Sequence, residues 1–330
     1  MPKLTSQPQL KTFQHALSAE LDQFDREYHD VLRSDVFLVD QVVKYLVRNK
    51  GKRIRPLLIF LVAKLFGGVT PRSIKAAIVV ELLHNATLVH DDIVDEAPFR
   101  RGFPTINQVW RNKVSVLVGD YILAKSLTGM LDLRDLGIFE VLSNTAKRMS
   151  RGELLQIAKA RKLDITEEVY LDMISDKTAA LISACCELGT LTTEPLNGDR
   201  YLMKAFGEKL GVAFQIRDDV LDFIGIERLI GKQVGRDMRE QKITLPLIYA
   251  FQHADKSESQ RVLHRIKKGV NHKEIHSVVD FVKHYGGIEY SENLAKQYAD
   301  EALNLLSRIP PSDSRELLVD FTKFVVQREK

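Results

Sequence analysis

The sequence predicts one all-α domain spanning residues 1–330, and three observations lead to this fold class. Long segments, such as residues 138–162 and 203–224, carry apolar residues at the 3.6-residue spacing of a helix. Little of the chain has the alternating pattern of a strand, and no segment resembles a strand–helix–strand unit. The breaks are too short to be interdomain linkers, and they fall at residues 67–71, 98–104, 194–198, 225–235 and 309–313.

The composition narrows the classes of protein to which the chain can belong. A formal net charge of only +4, with no basic stripe interleaved with aromatics, argues against a nucleic-acid-binding protein. The first ten residues lack the apolar core of a signal peptide, and the most apolar run, residues 57–63, is too short to span a bilayer. Cys185 and Cys186 are predicted to be small buried residues, not a disulfide or a metal site. We expect a soluble, cytoplasmic protein that is not integral to a membrane.

The first candidate functional segment is GKRIRP, which precedes an apolar helix predicted over residues 57–65. Proline favours the first turn of a helix, so Lys52, Arg53 and Arg55 should lie at the helix N-terminus. An anion bound there would be stabilised by these cations together with the free backbone N–H groups. A solvated basic turn is the alternative interpretation.

The segment LVHDDIVDEAPFRRG places Asp91, Asp92 and Asp95 at the end of an apolar helix predicted over residues 81–94. Pro98 should stop that helix. Acids at a helix C-terminus meet partial negative charge, which costs about 0.3–1 kcal/mol, and Asp91 and Asp95 also repel each other across one turn. Such a placement is expected at a functional site, although the cluster alone is also compatible with a solvated acidic helix end.

Further candidates lie close to this first acidic motif. His84 is seven residues before Asp91 and on the same helix face, although a lone His there is more often a packed core residue. Arg100 and Arg101 are predicted to lie in a loop, followed by a capping box, TINQ, at the start of the next helix.

A second acidic segment, GVAFQIRDDVLDF, repeats the spacing of the first with Asp218, Asp219 and Asp222. It also follows an apolar helical run, and Gly225 is predicted to end that helix. We expect two helix ends whose carboxylates face each other, where uncompensated acids would repel by about 1 kcal/mol per close pair in water. Mg²⁺ would neutralise them, because it prefers oxygen ligands and is usually held by one or two carboxylates together with substrate phosphates. No cluster of His or Cys that would favour zinc lies near them.

These motifs together resemble those of the trans-isoprenyl diphosphate synthases. The resemblance is carried by the two DDxxD motifs, GKRIRP, ELLH before HDD, RRG after the first motif and FQIRDD, and it covers about residues 51–246. It implies a bundle of long antiparallel helices around a deep central cavity, the isoprenoid synthase type I fold, generally as a homodimer. It also implies an enzyme that joins an allylic diphosphate to isopentenyl diphosphate with Mg²⁺, as three ions when diphosphate is bound, with Mn²⁺ as a substitute.

The resemblance assigns roles by position. The matches to the two catalytic Mg²⁺-binding motifs are Asp91, Asp92, Asp95, Asp218, Asp219 and Asp222, with Asp91, Asp95 and Asp218 the surest ligands. The matches to the isopentenyl diphosphate site are Lys52, Arg55, His84 and Arg101. The matches to the allylic diphosphate site are Arg100, Lys177, Thr178, Gln215 and Lys232, of which Lys177 and Lys232 also count as catalytic.

The residues before the first motif predict product length by the same resemblance. Ala86, Thr87 and Leu83 are not aromatic, and in this family bulky aromatics there limit products to short chains. The chain therefore resembles the long-chain branch, making hexa- to octaprenyl diphosphate from farnesyl diphosphate for quinone side chains. A floor built by another helix, through Leu127 or Met130, is the alternative.

Other functions remain open at this point. The segment GKQVGRDMREQKITLP departs from the family pattern at Gln233 and Gln241, whereas Lys232, Asp237 and Lys242 stay in register. A short-chain farnesyl or geranylgeranyl diphosphate synthase is the main alternative. GKRIRP and the second DDxxD motif argue against a class I terpene cyclase, and two intact motifs argue against a non-catalytic partner subunit or a helical scaffold.

Overall fold

The computed structural model describes residues 6–48, 51–100, 102–160, 165–193, 198–228, 242–270 and 272–328, and most of these are helical. The helices are α1 (Ser6–Ala16), α2 (Ser18–Leu32), α3 (Phe37–Arg48), α4 (Ile54–Leu65), α5 (Pro71–Val94), α6 (Ile106–Asp132), α7 (Leu136–Ala160), α8 (Glu167–Ile174), α9 (Ala180–Leu191), α10 (Asp199–Arg228), α11 (Leu245–His253), α12 (Lys256–Lys268), α13 (His272–His284), α14 (Gly287–Leu306) and α15 (Asp313–Gln327). A π-helical turn, Ser175–Ala179, joins α8 to α9. The predicted all-α fold is confirmed.

Two apolar clusters hold the helices together. The larger cluster contains Phe24, Phe60 and Phe206 and packs α4, α5 and α9 against the N-terminal helices and α15. The smaller cluster contains Tyr170 and Phe223 and packs α8 against α11, α12 and α13. Because α10 contributes Phe206 to one cluster and Phe223 to the other, it joins the two cores and fixes the frame around the site.

Helices α5 and α6 approach each other closely along their length. The Ser126 hydroxyl of α6 donates to the Val79 carbonyl of α5 at 3.2 Å. A Cβ atom on Gly119 would lie 2.2 Å from His90 Nε2, so a larger residue here would require the His90 ring to move. This packing sets the orientation of α5, whose last turn carries the first acidic motif.

Several predicted boundaries agree with the observed ones. The helices expected over residues 138–162 and 203–224 are α7 and α10, and α5 ends before Pro98 as expected. The breaks at residues 67–71 and 309–313 separate α4 from α5 and α14 from α15. Residues 194–197 of another predicted break lie outside the described residues.

Three local predictions were wrong. Helix α10 continues through Gly225 to Arg228, because a single glycine inside a helix costs only about 1 kcal/mol and need not end it. The break after α5 contains a short antiparallel hairpin, β1 (Phe99–Arg100) and β2 (Phe103–Pro104). Thr105 does precede α6, but it forms no capping box, since its hydroxyl donates to the Ala97 carbonyl at 2.6 Å.

Helix α6 is long and apolar enough to cross a membrane by length and composition alone. A third of its most apolar window is buried within the protein, where α6 packs against α5. Part of the rest is exposed on the surface, including Leu117, Leu127 and Leu131. The helix therefore has one face in the bundle and one apolar face that the single chain leaves uncovered.

Candidate active site

A cavity of about 990 Å³ opens between α4, α5, α7, the π-helical turn, α9 and α10. Its volume is at the upper end of the range of about 300–1,000 Å³ typical of ligand sites. Apolar side chains, including Leu154, Ile157, Leu181 and Phe214, form part of the wall. The cavity brings together the predicted residues Lys52, Arg55, His84, Thr87, Asp91, Arg100, Lys177, Thr178, Gln215 and Asp218.

The first acidic motif lies in the last turn of α5, and its three carboxylates point in different directions. Asp91 lines the cavity, where burial, followed by repulsion from Glu153, raises its pKa to about 6. Asp92 is buried and accepts a bond from Arg100 Nε at 2.7 Å. Asp95 caps the helix and accepts a bond from Lys242 at 3.3 Å. Of the three carboxylates, Asp91 is the one in the cavity wall.

The second acidic motif lies within α10, so these carboxylates do not meet a helix end. Asp218 faces the cavity with 45% of its side chain exposed, but it lies deep enough that desolvation raises its pKa, against the opposing effects of Arg328 and Lys52. Asp219 is buried and accepts bonds from the Tyr170 hydroxyl at 2.6 Å and from Gln215 at 2.7 Å. Asp222 is half-buried and does not line the cavity.

The basic segment before α4 contributes cations at the other side of the cavity. Lys52 is exposed to the cavity, while Arg55 is in the first turn of α4, where burial lowers its pKa. Arg53 caps the helix with a left-handed backbone, φ 54°, and pairs with Asp25 at 2.7 Å. Arg53 also reaches Glu81 at 3.5 Å. The N-terminus of α4 therefore presents positive charge to the cavity, and Arg53 fixes the backbone that carries it.

The π-helical turn places two predicted residues on the cavity wall. Lys177 Nζ pairs with Glu153 at 2.5 Å and donates to Gln156 at 2.9 Å, and the Thr178 hydroxyl donates to Gln215 at 2.8 Å. A Cβ on Gly152 would lie 2.5 Å from the Lys177 backbone nitrogen, so α7 touches the turn directly. The extra residue of a π-turn is a common feature of functional sites.

A cluster of ion pairs, which we call the Arg148 cluster, holds the outer side of this turn. Arg148 donates to Asp176 at 2.7 Å, to Glu208 at 2.7 Å and to the Ser175 carbonyl at 3.1 Å. Arg151 also donates to Asp176. Hydrogen bonds to Glu208 and Asp176 raise the pKa of Arg148, which stays fully charged.

Sequence reasoning missed Arg328, which follows α15 and lines the cavity. Its guanidinium group pairs with Asp218 at 2.5 Å and lies 3.9 Å from the centre of the Phe214 ring. Arg217, in FQIRDD, donates to the Arg328 carbonyl at 2.9 Å and so holds this residue in place. Arg328 lies 110 residues from Asp218 in the chain and outside every motif, so no local pattern could have identified it.

Two carboxylates from outside the two acidic motifs also belong to this site. Glu81 and Glu153 both line the cavity. Each is paired with a cation, Arg53 for Glu81 and Lys177 for Glu153. The spacing of acidic residues in the sequence did not identify Glu81 or Glu153, because neither belongs to an acidic cluster.

Two of the residues predicted to set product length, Ala86 and Leu83, do not line the cavity. Ala86 and Leu83 are buried in the larger apolar cluster or beside it, whereas Thr87 between them is in the wall. Their role in product length stays a prediction. Arg101 and Lys232, like Asp237, lie outside the described residues.

The donors of the cavity fit Mg²⁺ in their chemistry. In the described part of the chain, no three His, Cys, Asp or Glu side chains converge closely enough to hold a metal by themselves. Asp91 and Asp218 nevertheless offer ionisable oxygens to one cavity that also carries cations suited to phosphate. This arrangement matches the preference of Mg²⁺ for one or two carboxylates supplemented by substrate oxygens and water.

Residues 37–282 match the Polyprenyl synthetase family. The chain is 35% identical over 299 residues to the octaprenyl diphosphate synthase of Escherichia coli K12, covering 91% of this chain and 93% of that one. It is 35% identical over 324 residues to heptaprenyl diphosphate synthase component 2 of Geobacillus stearothermophilus, covering 97% and 99%. It is 34% identical over 311 residues to a geranylgeranyl diphosphate synthase of Sulfolobus acidocaldarius, covering 89% and 94%.

Solved structures are similar over nearly the whole chain. A decaprenyl diphosphate synthase from Rhodobacter capsulatus superposes with a TM-score of 0.91 at 35% identity, covering 97% of this chain and 99% of that one. A polyprenyl synthase from Caulobacter crescentus CB15, complexed with calcium and isoprenyl diphosphate, superposes with a TM-score of 0.91 at 31% identity, covering 97% and 98%.

Proposed function

Because the chain belongs to the polyprenyl synthetase family and is a trans-polyprenyl diphosphate synthase, we propose that it extends farnesyl diphosphate with successive isopentenyl diphosphates. The proposed product is hexa- to octaprenyl diphosphate for quinone side chains, and the proposed cofactor is Mg²⁺. We also propose that residues 1–330 form one domain and that the protein is soluble and cytoplasmic.

The observation that carries the proposal is the meeting of both acidic motifs and both basic groups in one cavity. Asp91 and Asp218 come from helices far apart in the sequence, yet both line the same space. Lys52 and Lys177 line it as well, from the segment before α4 and from the π-turn. Two anionic substrates could therefore be held side by side, each by its own cations.

The cationic groups divide into two proposed diphosphate sites. Lys52, Arg55 and His84 would bind isopentenyl diphosphate at the start of α4 and along α5. Arg100, Lys177, Thr178 and Gln215 would bind the allylic diphosphate. Arg101 and Lys232 are proposed for the first and the second site respectively by position in the sequence alone.

Asp91 and Asp218 in the cavity wall are the proposed Mg²⁺ ligands, together with Asp95 by its position in the motif alone, and the bound ions would supply positive charge to the leaving diphosphate. Lys177 and Arg100 stabilise the same developing negative charge when the allylic C–O bond breaks and its electron pair leaves with the diphosphate. Ile157 and Phe214, which are partly buried in the cavity wall, would shield the resulting allylic cation from water.

The double bond of isopentenyl diphosphate then attacks the allylic carbon, which forms the new C–C bond. A proton is lost from the adduct and regenerates an allylic double bond. We assign its acceptance to the departed diphosphate, because Glu81 and Glu153 are each engaged in an ion pair, with Arg53 and Lys177 respectively.

The proposed product length rests on the side chains of α5. No aromatic residue of α5 lines the cavity in the described structure, where Thr87 and Leu88 leave space below Asp91. The geranylgeranyl diphosphate synthase among the relatives makes a short-chain product the second candidate. Product sizing distinguishes the two directly.

The proposed homodimer rests on the uncovered face of α6 and the start of α7. Leu117, Leu127, Leu131 and Leu136 are exposed there, forming an apolar surface of the kind that marks a protein interface. We expect Leu131→Glu to shift the protein to monomers in analytical ultracentrifugation, whereas Tyr201→Glu, at an exposed position of α10, should not. A wild-type monomer would contradict the homodimer and would favour a two-component enzyme, as the name of one relative suggests.

The test of the function is an incubation with Mg²⁺, farnesyl diphosphate and labelled isopentenyl diphosphate, followed by extraction and sizing of the products. We expect long products, their loss on chelation, and a fall of turnover by orders of magnitude in Asp91→Asn and Asp218→Asn with unchanged circular dichroism. Asp30→Asn, at an exposed site on α2, is the matched control. Normal turnover in either motif variant would refute the two-motif site.

A further inference from the structure

A chain of hydrogen bonds runs from the smaller apolar cluster to the cavity wall. The Tyr170 hydroxyl of α8 donates to Asp219 Oδ2 at 2.6 Å. The Gln215 side-chain nitrogen donates to the other oxygen, Asp219 Oδ1, at 2.7 Å. The Thr178 hydroxyl donates to Gln215 Oε1 at 2.8 Å. Tyr170 is fully buried, whereas Thr178 and Gln215 line the cavity.

The polarity of this chain follows from the chemistry of its members. An ionised carboxylate only accepts hydrogen bonds, so the end of Gln215 that faces Asp219 must be the amide nitrogen. The amide oxygen must then face Thr178, whose hydroxyl has to act as the donor. The second hydrogen on the Gln215 nitrogen makes no bond to the described part of the chain and is available at the cavity wall.

Asp219 has an environment unlike that of Asp218. Only 4% of Asp219 is exposed, and both of its oxygens accept bonds from side chains, whereas Asp218 faces the cavity. The carboxylate of Asp219 therefore sets the orientation of Gln215 from behind the wall. Tyr170 in turn holds that carboxylate, because a buried acid without its donor would reorient towards another.

We propose that Tyr170 is a positioning residue for the allylic diphosphate. Through Asp219 it fixes the Gln215 amide with its nitrogen side available to phosphate oxygens and with Thr178 held in one rotamer. The proposal rests on the proposed function, since it concerns the same cavity and the same substrate. It predicts a role for a residue that touches neither substrate.

The test is Tyr170→Phe, which keeps the buried ring and removes only the hydroxyl. We expect the KM for farnesyl diphosphate to rise about 3- to 10-fold, the effect of one hydrogen bond of this kind. The KM for isopentenyl diphosphate should stay within twofold. The Kd for farnesyl thiodiphosphate, measured by calorimetry with Mg²⁺ present, should rise by the same factor as the first KM.

Tyr285→Phe is the matched control. It removes a similar bond, from the Tyr285 hydroxyl to Glu258 at 2.7 Å, at a place that does not line the cavity. Neither KM should change in this variant. If both variants alter the two KM values alike, the effect is general loss of structure and the proposal is wrong.

A double-mutant cycle tests the route through Gln215. If Tyr170 acts through this amide, Tyr170→Phe should add nothing further to the farnesyl diphosphate KM in a Gln215→Ala background. Additive effects would overturn the proposal. Should Tyr170→Phe fail to fold, Asp219→Asn supplies the same test, because the introduced amide no longer dictates which end of Gln215 faces it.

The outcome separates this inference from the proposed function. A wild-type protein that extends farnesyl diphosphate, together with a Tyr170→Phe variant of unchanged KM and Kd, would refute the positioning role alone. A folded wild-type protein with no product would refute the proposed function instead.

Discussion

Replacing Arg148 with Met should loosen the π-helical turn without touching the cavity wall. Methionine keeps the aliphatic length of the side chain but removes every donor. The Arg148 cluster would lose the bonds from the guanidinium group to Asp176, Glu208 and Ser175. Because this cluster backs the turn that carries Lys177, both stability and binding of the allylic substrate should suffer.

The expected loss in the free energy of unfolding follows from how deeply Asp176 and Glu208 are buried and from the partners that each of them keeps. The side chain of Asp176 is only 8% exposed, so its lost bond to a charged donor should cost about 1.5–3 kcal/mol. Asp176 keeps Arg151, and Glu208, at 26% exposure, keeps Ser175 and can be hydrated, which limits further loss. We therefore expect the free energy of unfolding to fall by about 2–4 kcal/mol.

Urea unfolding followed by circular dichroism measures this loss, and steady-state kinetics measures the KM for farnesyl diphosphate. Arg72→Met is the control, since Arg72 pairs with Asp135 on the surface and such pairs contribute about 0–1 kcal/mol. An Arg148→Met protein as stable as the control would refute the role of the cluster. A destabilised protein with an unchanged farnesyl diphosphate KM would restrict that role to folding.

Three further predictions concern the cavity itself. Lys52→Ala should raise mainly the KM for isopentenyl diphosphate and Lys177→Ala that for the allylic substrate, and the reverse pattern would exchange the two sites. Because the pKa of Asp91 is raised from 3.8 to about 6, the metal-free folded protein binds this proton more tightly than the unfolded chain does. Wild-type stability in EDTA should therefore fall relative to Asp91→Asn as pH rises through this window, by up to about 3 kcal/mol, and parallel pH curves would contradict it. Ala86→Phe should shorten the products while sparing the first condensations, and an unchanged long product would mean that the chain does not grow past residue 86.

The sequence was informative wherever function leaves a repeated local pattern. The spacing of Asp91 and Asp218 within like motifs, and the cations before Pro56, indicate two sides of one cavity from the sequence alone. Helix periods also located α7 and α10 to within a few residues. These features are local, so neighbouring residues alone determine them.

Structural features that depend on contacts between distant segments of the chain could not be predicted from local sequence patterns. Arg328 reaches Asp218 only because α15 returns to the bundle and Arg217 holds its end. The direction in which each carboxylate of a motif points depends on partners from other elements, such as Tyr170 for Asp219. Gly225 was misleading for the opposite reason, since a strong local signal was outweighed by the packing of α10 between two cores.

At the π-helical turn between α8 and α9, the site depends more on the number of residues in the turn than on which residues they are. Each residue turns an α-helix by about 100°, so deleting a single residue from Ser175–Ala179 would restore regular i to i+4 bonding and rotate α8 against α9 by that angle. The shortened protein could gain backbone regularity, yet Lys177 and Thr178 could no longer both face the cavity. Homologues with a one-residue gap at this place should therefore be well-folded proteins that have lost the reaction, even with every motif residue intact.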